Sequence, residues 1–302
     1  MKLSFTFAYL NNRFNVLLSI LLEKYGHWIP DRQYLELKFR ICMGERLDFQ
    51  HPMTYNEKLQ WIKLFDRNPE YTMMVDKVAA KNYVSTILGG YDHIIPTLGI
   101  FEHAEDINFD VLPDQFVLKC SHDSGSRIIC LNKNSLKIRS VQKKLNRYLK
   151  RNYFYKDREW PYKNVPPQII AEKYMCDVQS ENATPGDFKF YCFDGKVECI
   201  LVCMDRSTNL SFYYFTRDWQ FLRWDVKTQY KQPGFTLPRP ENLDEMIALA
   251  EKLSSRVRHV RVDLYDIGGK IYFGEYTFCT NSGLDRIITH ECDVFLGKLL
   301  HL

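Results

Sequence analysis

A strand, a short polar turn and a second strand fill Phe116–Cys130, and this stretch constrains the chain most. Phe116, Val117 and Leu118, then Ile128 and Ile129, are the aromatic, branched and apolar residues that suit a pleated, half-buried surface. Between them, Ser121-His-Asp-Ser-Gly-Ser126 is a run of turn formers with one glycine, and Lys119 points a compact cation at it. Free backbone N–H groups beside a lysine make a cradle for phosphate. The stretch taken alone reads first as an ordinary β-hairpin with a surface lysine, because one glycine is a weak signal. The remainder of the chain has to decide between the two.

A chain of 302 residues supports about two domains. Its 41 basic and 37 acidic residues nearly cancel, so no global field draws it to nucleic acid. None of the nine cysteines forms a C-x-x-C pair, and Cys120, Cys192 and Cys199 sit in apolar, strand-like runs. That pattern reads as free buried thiols in a reducing cytosol. No H-E-x-x-H or other zinc spacing occurs. The run Val16–Leu22 is too short to span a bilayer and lacks a cleavage site, so it reads as a helix docked on the body. A helix lying on a membrane surface or on a partner is the alternative, and membrane contact is at most peripheral.

Helices are expected over Lys2–Gly26 and Asp31–Met43, followed by a domain boundary near Gly44–Pro52. Thr54 with Glu57 is a capping box opening a helix whose apolar positions are Leu59, Ile62 and Phe65. One further helix is expected over Glu70–Leu88, stopped by Gly89-Gly90. Pro96 demotes Ile94–Gly99 to an edge or loop. Ser135–Lys150 is a basic helix, read as a solvated face or as a patch toward an anionic ligand. Strands follow over Gln168–Met175 and, after a loop around Thr184–Gly186, over Asp187–Phe193 and Lys196–Val202 with an Asp194-Gly195 turn. Asn242 and Glu245 are expected to cap a helix, and Val260–Tyr265 with Lys270–Phe278 to form a closing hairpin.

Asp263 and Glu275 lie at similar distances from the Gly268-Gly269 turn of that hairpin, on opposite arms. Facing carboxylates repel unless a cation or a proton lies between them, and each is set among apolar residues where a lone charge is costly. A divalent metal resolves both problems, and magnesium suits a site of few carboxylates plus substrate phosphates. Arg261 alternates with Asp263 onto the same face, so structural salt bridges answer the same facts. Glu172-Lys-Tyr-Met175 ends an apolar strand, either as a charged terminus or as an edge that grips an adenine.

These pieces in this order resemble the ATP-grasp superfamily, and within it the TupA-like branch named for teichuronopeptide biosynthesis. The resemblance rests on Thr54-Tyr-Asn-Glu-Lys-Leu-Gln-Trp61, Phe65-Asp-Arg-Asn-Pro69, Val75-Asp-Lys77, Leu112-Pro-Asp-Gln-Phe-Val-Leu-Lys119, Ile169-Ile-Ala-Glu-Lys-Tyr174 and Phe273-Gly-Glu-Tyr-Thr-Phe278, and it covers about residues 50–300. It implies an α+β fold in which two α/β lobes clamp ATP behind an N-terminal helical extension. The corresponding divisions are 1–50 for the extension, 51–112 for an N-terminal lobe, 113–174 for a small lobe with the phosphate loop, and 175–302 for a large lobe with the metal site.

The resemblance also implies roles. Lys77 and Lys119 look like the phosphate-reaching lysines, and Ser124, Gly125 and Ser126 like the loop that closes over the phosphates. Glu172, Lys173 and Met175 match the adenine grip, and Asp187 and Lys189 the ribose or γ-phosphate contacts. Asp263 and Glu275 match the Mg²⁺ ligands, and Arg261 the cation beside the transferring phosphoryl group. Thr277 stands where relatives carry asparagine, which leaves one or two metals open. The implied chemistry is carboxylate–amine ligation through an acyl phosphate, joining an amino acid to a uronic acid of a bacterial capsule or other surface polysaccharide. Trp160, Tyr162 and Arg286 are the glycan-facing candidates, with core packing as the alternative for the aromatics. A glycosyltransferase and a sugar kinase are the rival readings; the chain has no D-x-D pair for a metal-bound nucleotide-sugar.

Overall fold

The computed structural model describes all residues except 1, 177–185, 205–210, 226, 227, 229, 230 and 233, and no side chains before residue 13. The expected loop around Thr184 and Pro185 lies outside the described residues. The helical half begins with α1 (Lys2–Tyr25), α2 (Asp31–Met43), α3 (Tyr55–Phe65), α4 (Glu70–Val75) and α5 (Ala79–Leu88). Then come β1 (Thr97–Phe101), β2 (Phe116–Cys120), β3 (Arg127–Cys130), α6 (Ile138–Leu149), α7 (Phe154–Asp157) and β4 (Ile169–Lys173). The rest holds β5 (Gly186–Phe193), β6 (Lys196–Met204), β7 (Ser211–Thr216), β8 (Phe221–Leu222), α8 (Leu243–Ser254), β9 (His259–Ile267), β10 (Lys270–Thr277) and α9 (His290–Leu299).

Two antiparallel sheets result, giving an α+β fold. The smaller has the order β1-β4-β2-β3, so the proline-led strand takes the edge as expected. Val141 and Leu145 of α6 pack on its Phe116, Leu118, Cys120 and Ile169. The larger sheet has the order β10-β9-β5-β6-β7-β8. One of its faces, with Phe188, Phe190, Ile200 and Val260, is covered by Met246 and Ala250 of α8, Met74 of α4 and Val84 of α5. The other face, with Tyr191, Cys199 and Leu201, is covered by Leu59 and Ile62 of α3 and Leu296 of α9. Burial on both faces is why β5 and β6 read as nearly continuous apolar runs instead of alternating ones.

Local signals carry through at most boundaries. The Thr54 hydroxyl accepts from Glu57 N–H at 3.3 Å and the Glu57 carboxylate accepts from Thr54 N–H at 2.9 Å, closing the capping box. Asp194 and Gly195 both take positive φ (47° and 77°), as a two-residue hairpin turn demands. Two expectations fail. The single helix over Glu70–Leu88 is broken at Asp76–Val78, because the Asp76 carboxylate accepts from Val78 N–H at 2.9 Å and competes with the helical ladder. Asn242 precedes α8 but its side chain makes no capping bond; its backbone (φ −95°, ψ 17°) is not the extended conformation that turns a side chain onto the first turn.

α1 and α2 dock through buried polar contacts. Lys38 bonds Glu23 at 2.5 Å and Asp157 at 3.2 Å, Tyr34 Oη donates to the Lys156 carbonyl at 2.6 Å, and Arg158 donates to the Gly26 carbonyl at 2.9 Å.

Candidate functional site

The turn after β2 is held open by its own side chains. Ser126 Oγ accepts from Cys120 N–H at 3.0 Å and donates to the Asp123 carboxylate, which pins both ends of the loop. Gly125 at its tip has φ +95° and no atom near where a Cβ would stand, so the exposed edge at Ser124-Gly125 is backbone. The break between α4 and α5 frees Lys77, whose N–H bonds the Ser121 carbonyl at 3.3 Å and whose ammonium donates to the Asp123 carbonyl.

Glu172 on β4 is 5% exposed and sits between two ammonium groups: Lys81 of α5 at 2.6 Å and Lys119 of β2 at 2.5 Å. Burial pushes the Glu172 carboxyl upward, but the two cations outweigh it and hold it below the usual carboxylate range. Burial dominates at Lys81, which is lowered despite Glu172. Each Glu172 oxygen already accepts one strong bond, so in this arrangement it aims the two lysines first, with lone pairs left for a ligand donor.

The opposite wall comes from the large sheet. The β9–β10 ladder has a bulge between Phe273 and Glu275, and the register after it sets Glu275 directly across from Asp263. Asp263 is 1% exposed; Arg261 grips both its oxygens at 2.6 and 2.8 Å, and Lys189 of β5 donates to it and to Asp187 at 3.1 Å. Burial opposes ionisation of Asp263, yet Arg261 and Lys189 hold its carboxyl low. Burial likewise opposes the Lys189 charge, and Asp263 keeps its pKa raised. Glu275 is the open member, with 43% of its side chain exposed and Arg261 at 4.0 Å. Thr277 Oγ1 accepts from Arg261 at 3.1 Å, so its hydroxyl positions the guanidinium.

The two walls enclose a cleft of about 290 Å³, near the lower end of ligand-pocket sizes. Lys77, Lys119, Ser124, Gly125, Ser126, Glu172, Lys189 and Glu275 all line it. Arg261, Asp263 and Asp187 lie behind it and act on it through Lys189. Lys173 and Met175 do not line it; Lys173 is exposed, and its N–H ties β4 to the Pro96 carbonyl at 3.0 Å. Tyr162 is packed in the large core and Arg286 is exposed; neither they nor Trp160 line the cleft. Lys81, Arg127, Tyr265 and Phe273 line it without having been singled out from sequence. The four-residue spacing of Lys77 and Lys81 was the available signal for Lys81.

Magnesium fits this donor set within limits. Among the described residues no three His, Cys, Asp or Glu side chains gather to hold a metal. A hard cation that takes most of its oxygens from phosphate and water needs only one or two carboxylates. Glu275 offers one in the cleft, and Asp263 faces it across the ladder, its oxygens shared with Arg261 and Lys189.

Solved structures similar to the chain include a D-alanine–D-alanine ligase from Bacillus anthracis complexed with ATP (15% identity, TM-score 0.45, covering 83% of this chain and 66% of that one). A phosphoribosylamine–glycine ligase from Thermotoga maritima is another (11%, TM-score 0.42, 74% and 50%). A third is the biotin carboxylase domain of the Hydrogenobacter thermophilus 2-oxoglutarate carboxylase with MgADP and bicarbonate (18%, TM-score 0.39, 68% and 40%). The chain spans less than two thirds of the length of each of these proteins. No curated protein matches it. A family model described as TupA-like ATPgrasp matches residues 57–301, most of the chain and both walls of the cleft, and on that match the chain belongs to the TupA-like ATP-grasp family.

Proposed function

We propose that the protein is an ATP-dependent carboxylate–amine ligase that joins an amino acid to a uronic acid in bacterial surface-polysaccharide synthesis. One observation carries the nucleotide site: four lysines (77, 81, 119 and 189) and a loop of exposed backbone converge on one cleft that Glu275 faces. Such a set matches a polyphosphate with a bound divalent cation and little else. In this reading the small sheet and the large sheet are the two jaws, with residues 113–174 and 175–302 as the lobes and 1–50 as an appended helical pair.

A substrate carboxylate attacks the γ-phosphorus, ADP leaves, and an acyl phosphate forms. The amine then attacks the acyl carbon and phosphate departs, leaving an amide. Phosphoryl transfer asks a protein for position and charge neutralisation more than for covalent work. Lys77, Lys119 and the Ser124–Ser126 backbone hold the phosphates. Lys81 is kept in place by Glu172, and Lys189 is aimed by Asp187 and Asp263. Arg261 keeps Asp263 ionised behind the reacting phosphoryl group. Glu275 and Asp263 would hold Mg²⁺, which supplies neutralisation of the phosphate charge when bound.

Mass spectrometry of products from a screen of uronic acids against amino acids with Mg·ATP tests this reading. An amide product with ADP supports it. ADP release with a sugar alone would make the protein a kinase, and UDP release from a nucleotide-sugar would make it a glycosyltransferase.

A further inference from the structure

α1 is built the wrong way round for a helix that ends at water. Two of its polar side chains face the protein: Ser19 accepts from Lys38 at 2.9 Å, and Glu23 pairs with Lys38 at 2.5 Å. Of its described apolar side chains five face out, while Leu22 alone is buried against the body. Phe14, Val16, Leu17, Ile20 and Leu21 are 42–58% exposed. At 3.6 residues per turn these positions cover roughly half the circumference. A surface helix of a freely soluble protein shows the reverse, with the apolar stripe on the core.

The charge and the ends of the helix say what covers this face. The charged residues on it, Arg13 and Lys24, are both basic. Glu23, the one acid between residues 13 and 28, is turned to Lys38. Where α1 ends, Tyr25 is 59% and Trp28 83% exposed, rings of the kind that sit where apolar and wet meet. A partner helix would need a seam two positions wide per heptad, and Val16 and Ile20 broaden the face beyond that. No described helix is long and apolar enough to cross a membrane, so the geometry is one of lying on a surface.

We propose that α1 docks the protein on an anionic bilayer, with Phe14, Leu17, Ile20 and Leu21 in the acyl boundary, Arg13 and Lys24 at the headgroups, and Trp28 at the interface. The proposal is independent of the nucleotide-site assignment. Lipid-facing apolar area supplies the affinity, and the two cations supply the preference for negative lipid.

Flotation of the full chain with vesicles of phosphatidylcholine, with and without phosphatidylglycerol, tests it, alongside light scattering for oligomeric state. The wild type is expected to float with phosphatidylglycerol vesicles and to be released by salt. Leu17→Glu with Ile20→Glu is expected to weaken association roughly tenfold or more. Both positions are exposed, so melting temperature and ATP binding should be unchanged in that variant. Arg13→Glu with Lys24→Glu should remove the preference for anionic vesicles. A wild type that stays unbound with both vesicle types overturns the proposal, as does flotation that neither double variant alters. A dimer that Leu17→Glu with Ile20→Glu dissolves also overturns it, by giving the face to a second copy.

Discussion

Glu172 and Glu159 show how differently burial acts on two carboxylates of one chain. Glu172 has two ammonium groups and stays ionised. Glu159 is 5% exposed; burial pushes it up to about 7, with Lys63 and a 2.7 Å bond from the Ser282 hydroxyl only partly opposing this. A raised carboxyl favours the fold below its unfolded value of 4.5 and loses that advantage as pH climbs through about 7. The wild type should therefore lose stability relative to Glu159→Gln between pH 5 and pH 8, by on the order of 3 kcal/mol, measurable by urea melts across that window. At the cleft, Lys81→Ala removes one lining cation and leaves Glu172 on Lys119 alone. ATP affinity measured by titration calorimetry should fall about tenfold, roughly 1.4 kcal/mol. Unchanged affinity would confine Lys81 to a structural role.

Helix and strand ends place the cleft residues as much as their chemistry does. The Asp76 break turns one expected helix into two and releases Lys77 toward the loop. The bulge at Gly274 slides β10 by one residue; an unbroken ladder from Lys270↔Ile267 would have set Glu275 against Val262, on the other face. A side chain at Gly274 would meet the Asp263 carbonyl at 3.0 Å and Tyr265 at 2.9 Å, so glycine is needed there. α9 crosses the start of α3 so closely that a Cβ on Gly297 would lie 2.4 Å from the Met53 carbonyl. Gly297→Ala gains about 1 kcal/mol of helix propensity but overpacks by up to about 3, a net loss of about 2 kcal/mol in urea unfolding. Thr54→Ala should cost about 1 kcal/mol by losing the cap that starts α3, in the same assay.

Across the protein as a whole, the nucleotide is expected to act as a clamp between two sheets that share few side chains apart from the cleft lining. ATP with Mg²⁺ should raise the melting temperature, with about 2.7 kcal/mol of stabilisation at a hundredfold excess over Kd. Glu275→Ala should abolish turnover while leaving the melting temperature of the free protein within a degree or two, since its side chain is half open and paired only at 4.0 Å. Asp263→Ala should abolish turnover and also lower stability, because it takes the bidentate partner from buried Arg261 and leaves Lys189 on Asp187 alone. A scanning calorimeter and a coupled ADP assay separate these outcomes.

Much of this is legible in the sequence. Caps, glycine stops, the Asp194-Gly195 turn and the alternation of strand residues are local, and local backbone preferences are written in neighbouring residues. Asp263 and Glu275 were legible as a pair because a two-residue turn ties them together. Lys81 was not, since its partner comes from a distant strand, and distance along the chain says nothing of contact in space. The same holds for the ion pair at Asp263: Lys189 arrives from β5, a strand that pairing alone brings beside β9. The outward turn of α1's apolar face also waited on packing, because an amphipathic pattern states which faces differ, and only a docked neighbour states which of them is left to the surroundings.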